Sequence, residues 1–308
     1  MINKTGWLVN DCLTCIPNTK TFWHFLLEGV AGLEDKTGGY TPFNTLASKV
    51  ENEYKLSDIK PDYIIRNATF FDNINVHIPT ISLLQDPYDV GSGIFKKQVE
   101  VCNNSSHVVY NSEYTKERYH KFIHRPSSVI KLGTDSDLFY PQSKVQKNKN
   151  TIIYVGSSNE NFKGFSLIKQ LIKHTKYNFI LVMKDDFQMS HSRVRVYNKI
   201  NQEKLASLLN KSDLLVCTSR HETLHLAGIE AMFCNVPVVA SDVGIYCEIK
   251  NDKRWGKIVD NHDLLSYIRA IEETLNNDSL SPREVMFCNK LSLSDSIKNW
   301  NSLLNEVL

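Results

Sequence analysis

Ten short apolar runs, most of them followed by an amphipathic stretch, constrain this chain more than any other feature. "TGWLVN" (5–10), "PDYIIRN" (61–67), "PTISLLQD" (79–86), "SHVVYNS" (106–112) and "SSVIKLG" (127–133) form a first series. "NTIIYVGS" (150–157), "YNFILVMK" (177–184), "SRVRVYN" (192–198), "SDLLVCTS" (212–219) and "VPVVASD" (236–242) form a second. Each has the length and uniform apolarity of a buried strand. Helical periodicity marks 20–33, 94–103 and 112–123 in the first series, and 164–174, 202–210, 224–234 and 262–276 in the second. Alternation of this kind implies an α/β chain with parallel sheets covered by helices on both faces.

Between the two series lies "YPQSKVQKNKN" (140–150), which is polar, aperiodic and contains Pro141. It reads as a linker. The expected organisation is two Rossmann-like domains, 1–140 and 141–291, facing a cleft. The final segment, 292–308, places Ile297, Trp300, Leu303, Leu304 and Val307 on one helical face, so it is expected to pack back on the first domain. A length of 308 residues suits two such cores.

Hydrophobic residues at 42% and charged residues at 23% exclude a disordered chain. The net charge of +2 excludes a strong polyanion binder overall. Charge is uneven, however: residues 96–176 carry 14 basic and 6 acidic side chains. That zone is suited to phosphates, an anionic membrane or a nucleic acid, or it is simply a solvated lysine-rich surface. Seven cysteines, an odd number, argue for reduced thiols. Cys12 and Cys15 form a C-x-x-C without a second pair at zinc-ribbon spacing. No apolar run reaches the roughly 20 residues of a membrane span, and the N-terminal apolar stretch is short for a signal peptide. The expected location is cytoplasmic, soluble or peripherally associated.

In open parallel sheets, ligands bind at the carboxyl ends of strands. One such end holds "RHETLHLAGIE" (220–230), which has two readings. His221-Glu222-x-x-His225 fits the H-E-x-x-H pattern of zinc hydrolases. That pattern needs both imidazoles on one helical face and a third ligand. Here it directly follows a strand, and Glu248 is the only obvious further carboxylate. In the other reading, Glu222 sits in a strand-to-helix turn and Glu230 two turns into the helix. The helix N-terminus then offers unpaired N–H groups to a diphosphate or a sugar, and Glu230 offers a carboxylate to vicinal ribose hydroxyls.

The second reading is supported by its surroundings. "SDLLVCTSRHETLHLAGIEAMFCNVPVVASDVGIYCEI" resembles the E-x7-E region of retaining glycosyltransferases of the GT-B fold, especially family 4. "SSVIKLGTDSDLFYP" (127–141) is similar to the family's G-x-D-x-x-x-F-x-P segment. "TIIYVGSSNENFKGFSLIKQLI" (151–172) is similar to its first donor-domain strand, loop and helix, with a K-G pair. "VVYNSEYTKERY" (108–119) and "GKIVDNHDLLSYIRAIEETLNND" (256–278) add to the likeness.

The resemblance implies a retaining transferase that moves a sugar from a nucleotide-diphosphate donor, with no cofactor and no metal required. Lys163 would bind the diphosphate, Glu230 the ribose, and Glu222 with backbone groups of Thr223, Leu224 and His225 the sugar. Gly156, Ser157, Ser158, Tyr197 and Arg220 complete the implied donor site. Glu222, Lys163 and Asp86 are the catalytic candidates. Thr19, Lys20, Arg66, Gln85 and Asp86 are the acceptor-side candidates, with Asp86 placed to position or deprotonate an acceptor hydroxyl. The chain departs from the family in carrying Ser157 where an Arg is usual, so the missing cation falls to Lys184, Arg220 or Arg66. It also lacks the usual glycines between the two glutamates and the N-terminal Gly-Gly loop. The acceptor stays open: a glycan, a polysaccharide, a protein or a modified DNA base. An epimerase or hydrolase acting on nucleotide sugars, or a non-catalytic binding protein, is the alternative on the same fold.

Overall fold

A computed structural model describes residues 6–9, 26, 28–30, 33–35, 62–69, 78–85 and 88–308. Thr19, Lys20, Asp86, Cys12 and Cys15 lie outside these residues, as does most of the expected 20–33 helix. The chain divides into two compact units, Met1–Gly133 with Ser294–Leu308, and Thr134–Leu293.

In the first unit six parallel strands run β1 (Gly6–Val9), β2 (Leu33–Asp35), β3 (Tyr63–Asn67), β4 (Thr80–Leu84), β5 (His107–Tyr110) and β6 (Ser127–Val129). Their order is β2-β1-β3-β4-β5-β6. β3, β4 and β5 are buried at every position, which explains their unbroken apolar runs. The strand at "LED" carries no apolar run, and pairing with β1 (Gly6 opposite Leu33) is what makes it a strand. Helices α1 (Gly93–Asn103) and α2 (Glu113–Tyr119) each start on a serine, Ser92 and Ser112, whose hydroxyl accepts the N–H of Phe95 and Thr115.

The second unit repeats the plan with β7 (Thr151–Gly156), β8 (Asn178–Met183), β9 (Val194–Asn198), β10 (Leu214–Cys217), β11 (Val238–Ser241) and β12 (Gly256–Val259). All pairs are parallel, in the order β12-β11-β10-β7-β8-β9. The helices are α3 (Phe165–His174), α4 (Gln202–Asn210), α5 (Leu226–Phe233), α6 (Ile245–Ile249), α7 (Leu264–Leu275) and α8 (Pro282–Cys288). α3 and α7 bury Phe165, Leu167, Ile168, Leu171, Tyr267, Ala270 and Ile271 against β7, β8 and β10 in one continuous core. The chain winds outward from β7 through β8 and β9, then returns to place β10 on the other side of β7. The strand order therefore reverses between β7 and β10, which is where open α/β sheets bind ligands. All ten apolar runs are strands.

The last helix, α9 (Leu293–Val307), buries Trp300, Leu303 and Leu304 and returns to the first unit. Ser296 donates to the Lys131 carbonyl at 2.7 Å, and Asn301 to the Gly29 carbonyl at 3.1 Å. The entry to the second unit is tied down locally. Thr134 pairs with Ser292 in a parallel bridge, and Arg283 donates to the carbonyls of Phe139, Phe233 and Ser136. No helix among the described residues is long and apolar enough to cross a membrane. The basic zone 96–176 is shared between the two units rather than carried by one element.

Candidate active site

The reversal point brings two loops together within the second unit. The loop after β7 ends in a short 3-10 turn, Asn161–Lys163, followed by Gly164. The loop after β10 runs from Thr218 to His225, ahead of α5. Thr218 Oγ1 donates to the Lys163 carbonyl at 2.9 Å, and the Arg220 N–H donates to the Phe162 carbonyl at 2.7 Å. Gly164 has φ +66, and a Cβ there would lie 2.0 Å from the Thr218 carbonyl oxygen. The K-G pair thus has a physical reason: only glycine allows both the left-handed turn and this close approach. His262 Nε2 donates to the same Thr218 carbonyl at 2.7 Å and braces it from the loop after β12.

This scaffold sets Lys163 against Glu222. Nζ donates to Oε1 at 2.7 Å, and Ser219 Oγ donates to the same oxygen at 2.7 Å. Both side chains are largely buried, with 21% and 11% of their surface exposed. Burial acts to raise the Glu222 carboxyl. The neighbouring His225 and Lys163, with hydrogen bonds from Lys163 and Ser219, outweigh it and hold the group below the ordinary carboxylate range. The Ser241 hydroxyl donates to the Ser219 carbonyl, fixing the loop from β11.

Glu230, eight positions on, has the opposite environment. It lies in the body of α5, and its carboxylate has no hydrogen-bond or ion-pair partner among the described residues. Burial alone pushes it up to about 7. Between the two acids, the N–H groups of Thr223, Leu224, His225, Leu226 and Ala227 donate to no acceptor among the described residues. Five consecutive free donors at a helix start make a seat for phosphate or hydroxyl oxygens.

α5 begins at Leu226, so the H-E-x-x-H pentad is not helical. His221 is exposed. His225 is buried, and its Nδ1 lies 2.6 Å from the Tyr246 hydroxyl. Among the described residues, the group of three potential metal ligands that lie together is Cys217, Glu222 and His225, without His221. Burial pushes the Cys217 thiol up to about 12, so it offers a neutral thiol rather than a thiolate ligand. The pentad therefore lacks the one-face geometry of a zinc hydrolase.

The remaining candidates are placed as follows. Gly156 ends β7 in register with Met183 of β8, and Met183 with Asn198 of β9, so these carboxyl ends form one row. Ser157 is buried, and its hydroxyl accepts the Asn159 N–H at 3.2 Å. Ser158 gives its N–H, at 2.9 Å, and its hydroxyl to Asp185. Burial acts to raise the Asp185 carboxyl, and the Ser158 and Ser157 contacts hold it low. An acid therefore occupies the donors of Ser158 that the sequence suggested for the donor. Lys184 is exposed and paired with Glu160 at 3.4 Å. Arg220 is exposed and carries no ion pair among the described residues. Tyr197 on β9 lies under Lys204, whose Nζ is 5.6 Å from the ring centroid. Arg66 is buried on β3 and Gln85 is partly buried after β4, both in the first unit. Ser219 and Asp185 are legible as candidates because each directly follows a strand, whereas nothing local marks Tyr246 and His262, which meet the site through loops distant in sequence.

Residues 135–287 match the family model described as Glycosyl transferases group 1. An uncharacterized glycosyltransferase of Methanocaldococcus jannaschii is 25% identical over 186 residues, covering 58% of this chain and 52% of that protein. The chain spans about half the length of the curated relatives it matches first. Among solved structures, sucrose-phosphate synthase from Thermosynechococcus elongatus superposes with TM-score 0.81 at 16% identity, covering 99% of each chain. Anabaena HepE in complex with UDP-glucose superposes with TM-score 0.71 at 16% identity, covering 98% of this chain and 99% of that one. The family match thus falls within the second unit, and the chain has the GT-B fold of paired Rossmann-like units.

Proposed function

We propose that this protein is a retaining, metal-independent glycosyltransferase that takes a sugar from a nucleoside diphosphate and delivers it to an acceptor hydroxyl. The observation that carries this reading is the Lys163–Glu222 pair at 2.7 Å beside five unpaired N–H groups and an unpartnered Glu230. Lys163 is a mobile point charge suited to phosphate oxygens. The N–H groups at the start of α5 share that load, as helix N-termini do. Glu230 accepts from vicinal ribose hydroxyls, which supply the hydrogen bonds its partly buried carboxylate lacks. Glu222, kept ionised, accepts from a hydroxyl of the sugar.

In the transfer step the anomeric carbon–oxygen bond breaks, and its electron pair leaves on the diphosphate. Lys163 and the N–H groups stabilise that developing charge. The acceptor oxygen bonds the anomeric carbon on the face the diphosphate left, and its proton passes to a phosphate oxygen or to Asp86. The acceptor is a glycan, a polysaccharide or a modified base. The Anabaena neighbour's complex makes UDP-glucose the first donor to test.

The test is calorimetry with UDP, GDP and ADP, followed by transfer assays in which NMR reads the anomeric configuration of the product. Micromolar binding of one diphosphate and retention of configuration are expected. A protein that binds none of the three at millimolar concentration, or that inverts the anomeric centre, is not this enzyme.

A further inference from the structure

We propose that His225, held by Tyr246, is a specificity-determining residue for the transferred sugar. Its Nε2 and the Glu222 carboxylate together grip one sugar hydroxyl, which donates to Glu222 and accepts from His225. The inference rests on the donor-site reading above and deepens it.

Three features of the structure point here. First, His225 sits at φ 64, ψ 69, in the left-handed region where glycine is the least strained residue. A side chain kept in such a place is a pointer to function when other groups hold it there. Second, other groups do hold it. Nδ1 lies 2.6 Å from the Tyr246 hydroxyl, and Tyr246 is fully buried and stacked on Trp255 at 5.2 Å between centroids. A Cβ at Gly228 would lie 1.9 Å from the Tyr246 hydroxyl oxygen and 2.7 Å from His225 Nδ1. The pair meets only because position 228 has no side chain. Third, a ring nitrogen of His225 lies within 4.8 Å of a Glu222 carboxylate oxygen.

The hydrogen-bond accounting then fixes the chemistry. The phenol is the stronger donor of the two, so Tyr246 O–H donates a hydrogen bond to Nδ1, and the neutral ring carries its own hydrogen on Nε2. Nε2 has no partner among the described residues and is not one of the sealed, unsatisfied polar atoms of the protein. An imidazole that donates from Nε2, on a ring set beside an ionised acceptor, is complementary to a hydroxyl, which can accept from one and donate to the other. A site built to hydrogen-bond a hydroxyl discriminates strongly against the analogue that lacks it.

The experiment uses the full chain as wild type, His225→Gly, His225→Asn and Tyr246→Phe. Calorimetry measures UDP, GDP and ADP, then the glucose, galactose and mannose conjugates of whichever diphosphate binds. The best conjugate is then compared with its monodeoxy derivatives. Diphosphate affinity should stay within about two-fold in Tyr246→Phe, and in His225→Gly and His225→Asn it should fall by clearly less than conjugate affinity does. The best conjugate should weaken about ten-fold or more in His225→Gly, about three-fold in Tyr246→Phe, and less in His225→Asn than in His225→Gly. One deoxy position should be penalised about ten-fold in wild type and not in His225→Gly. Glycine relaxes the backbone at 225, and Tyr246→Phe leaves that backbone alone, so the two variants do not share a folding fault. The proposal is overturned if His225→Gly binds the conjugate like wild type, if it loses diphosphate and conjugate equally, or if every deoxy penalty is unchanged. If wild-type protein binds no diphosphate, the donor-site reading fails and takes this inference with it.

Discussion

The loop from Thr218 to His225 and the helix Leu226–Phe233 each carry one glutamate, and the two are handled in opposite ways. Glu222, on the loop, accepts from Lys163 and Ser219 and is held ionised. Glu230, on the helix, accepts from no described residue and is pushed up to about 7 by burial. A paired acid is stabilised in the protein as it stands. An unpaired, partly buried acid costs free energy until something donates to it. The difference teaches which half of the site is already complete and which is built for a ligand.

Removing Lys163 should break this contrast most. Lys163→Ala leaves Glu222 buried without its cation and takes the point charge from the diphosphate. Loss of one partner from a largely buried pair is costly, so diphosphate affinity should fall about 100-fold by calorimetry. Unchanged affinity would show that the pair does not face the donor.

Next in size is Glu230→Ala. Hydrogen bonds to a charged acceptor contribute about 1.5–3 kcal/mol each, so diphosphate binding should weaken about ten-fold to 100-fold. A 2′,3′-dideoxy diphosphate should bind wild type and variant alike. A variant that still distinguishes the two ligands would move the ribose elsewhere.

The pH dependence sharpens the comparison. The folded value for Glu230, about 7, lies above its ordinary value of 4.5, so the folded state holds an extra proton between them. Its contribution to stability is full below about pH 4.5 and is lost as pH rises towards 7. The Glu222 carboxyl is lowered, so its contribution is present above its unfolded value and lost as pH falls. Nucleotide binding needs Glu230 ionised. Affinity in wild type should therefore fall as pH drops from 8 to 6, by up to about ten-fold per unit, and should be flat in Glu230→Gln. Thermal unfolding should show Glu230→Gln gaining on wild type by a few °C as pH rises from 5 to 8. An equal offset at both pH values would argue against a raised carboxyl.

The smallest effect belongs to Ser219→Ala. It removes one hydrogen bond from Glu222 and leaves Lys163 in place, a loss of about 1 kcal/mol. Conjugate affinity should drop about five-fold, with diphosphate affinity little changed. A loss as large as that of Lys163→Ala would mean that the hydroxyl holds the whole loop rather than one carboxylate oxygen.

Much of the fold was legible because burial on both faces leaves a local trace. Runs such as "TIIYVG" and "NFILVM" announce strands of a covered parallel sheet without reference to anything distant. The strands at Leu33–Asp35 and Gly256–Val259 left no such trace; "LED" and "GKIV" are strands by pairing with β1 and β11. The glutamate spacing pointed at Glu222 and Glu230 because eight positions on a turn and helix is itself a local relation. Ser157 and Ser158 read as open loop residues, yet one is buried and the other is bound by Asp185, 27 positions away.

By itself, then, the sequence determined the class of the fold, the positions of its buried strands and the two acids flanking the start of α5. Periodicity and composition are enough for those, because they reflect each segment's own exchange of water for protein. The tertiary structure alone decided that Lys163 neutralises Glu222 and leaves Glu230 alone, that Asp185 occupies Ser158, and that Tyr246 steadies His225. Those meetings follow from β10 lying beside β7, β8 beside β7 and β11 beside β10, and from the approach that Gly164 and Gly228 permit. Strand order and backbone separation are properties of the packed chain, and no stretch of residues carries them alone.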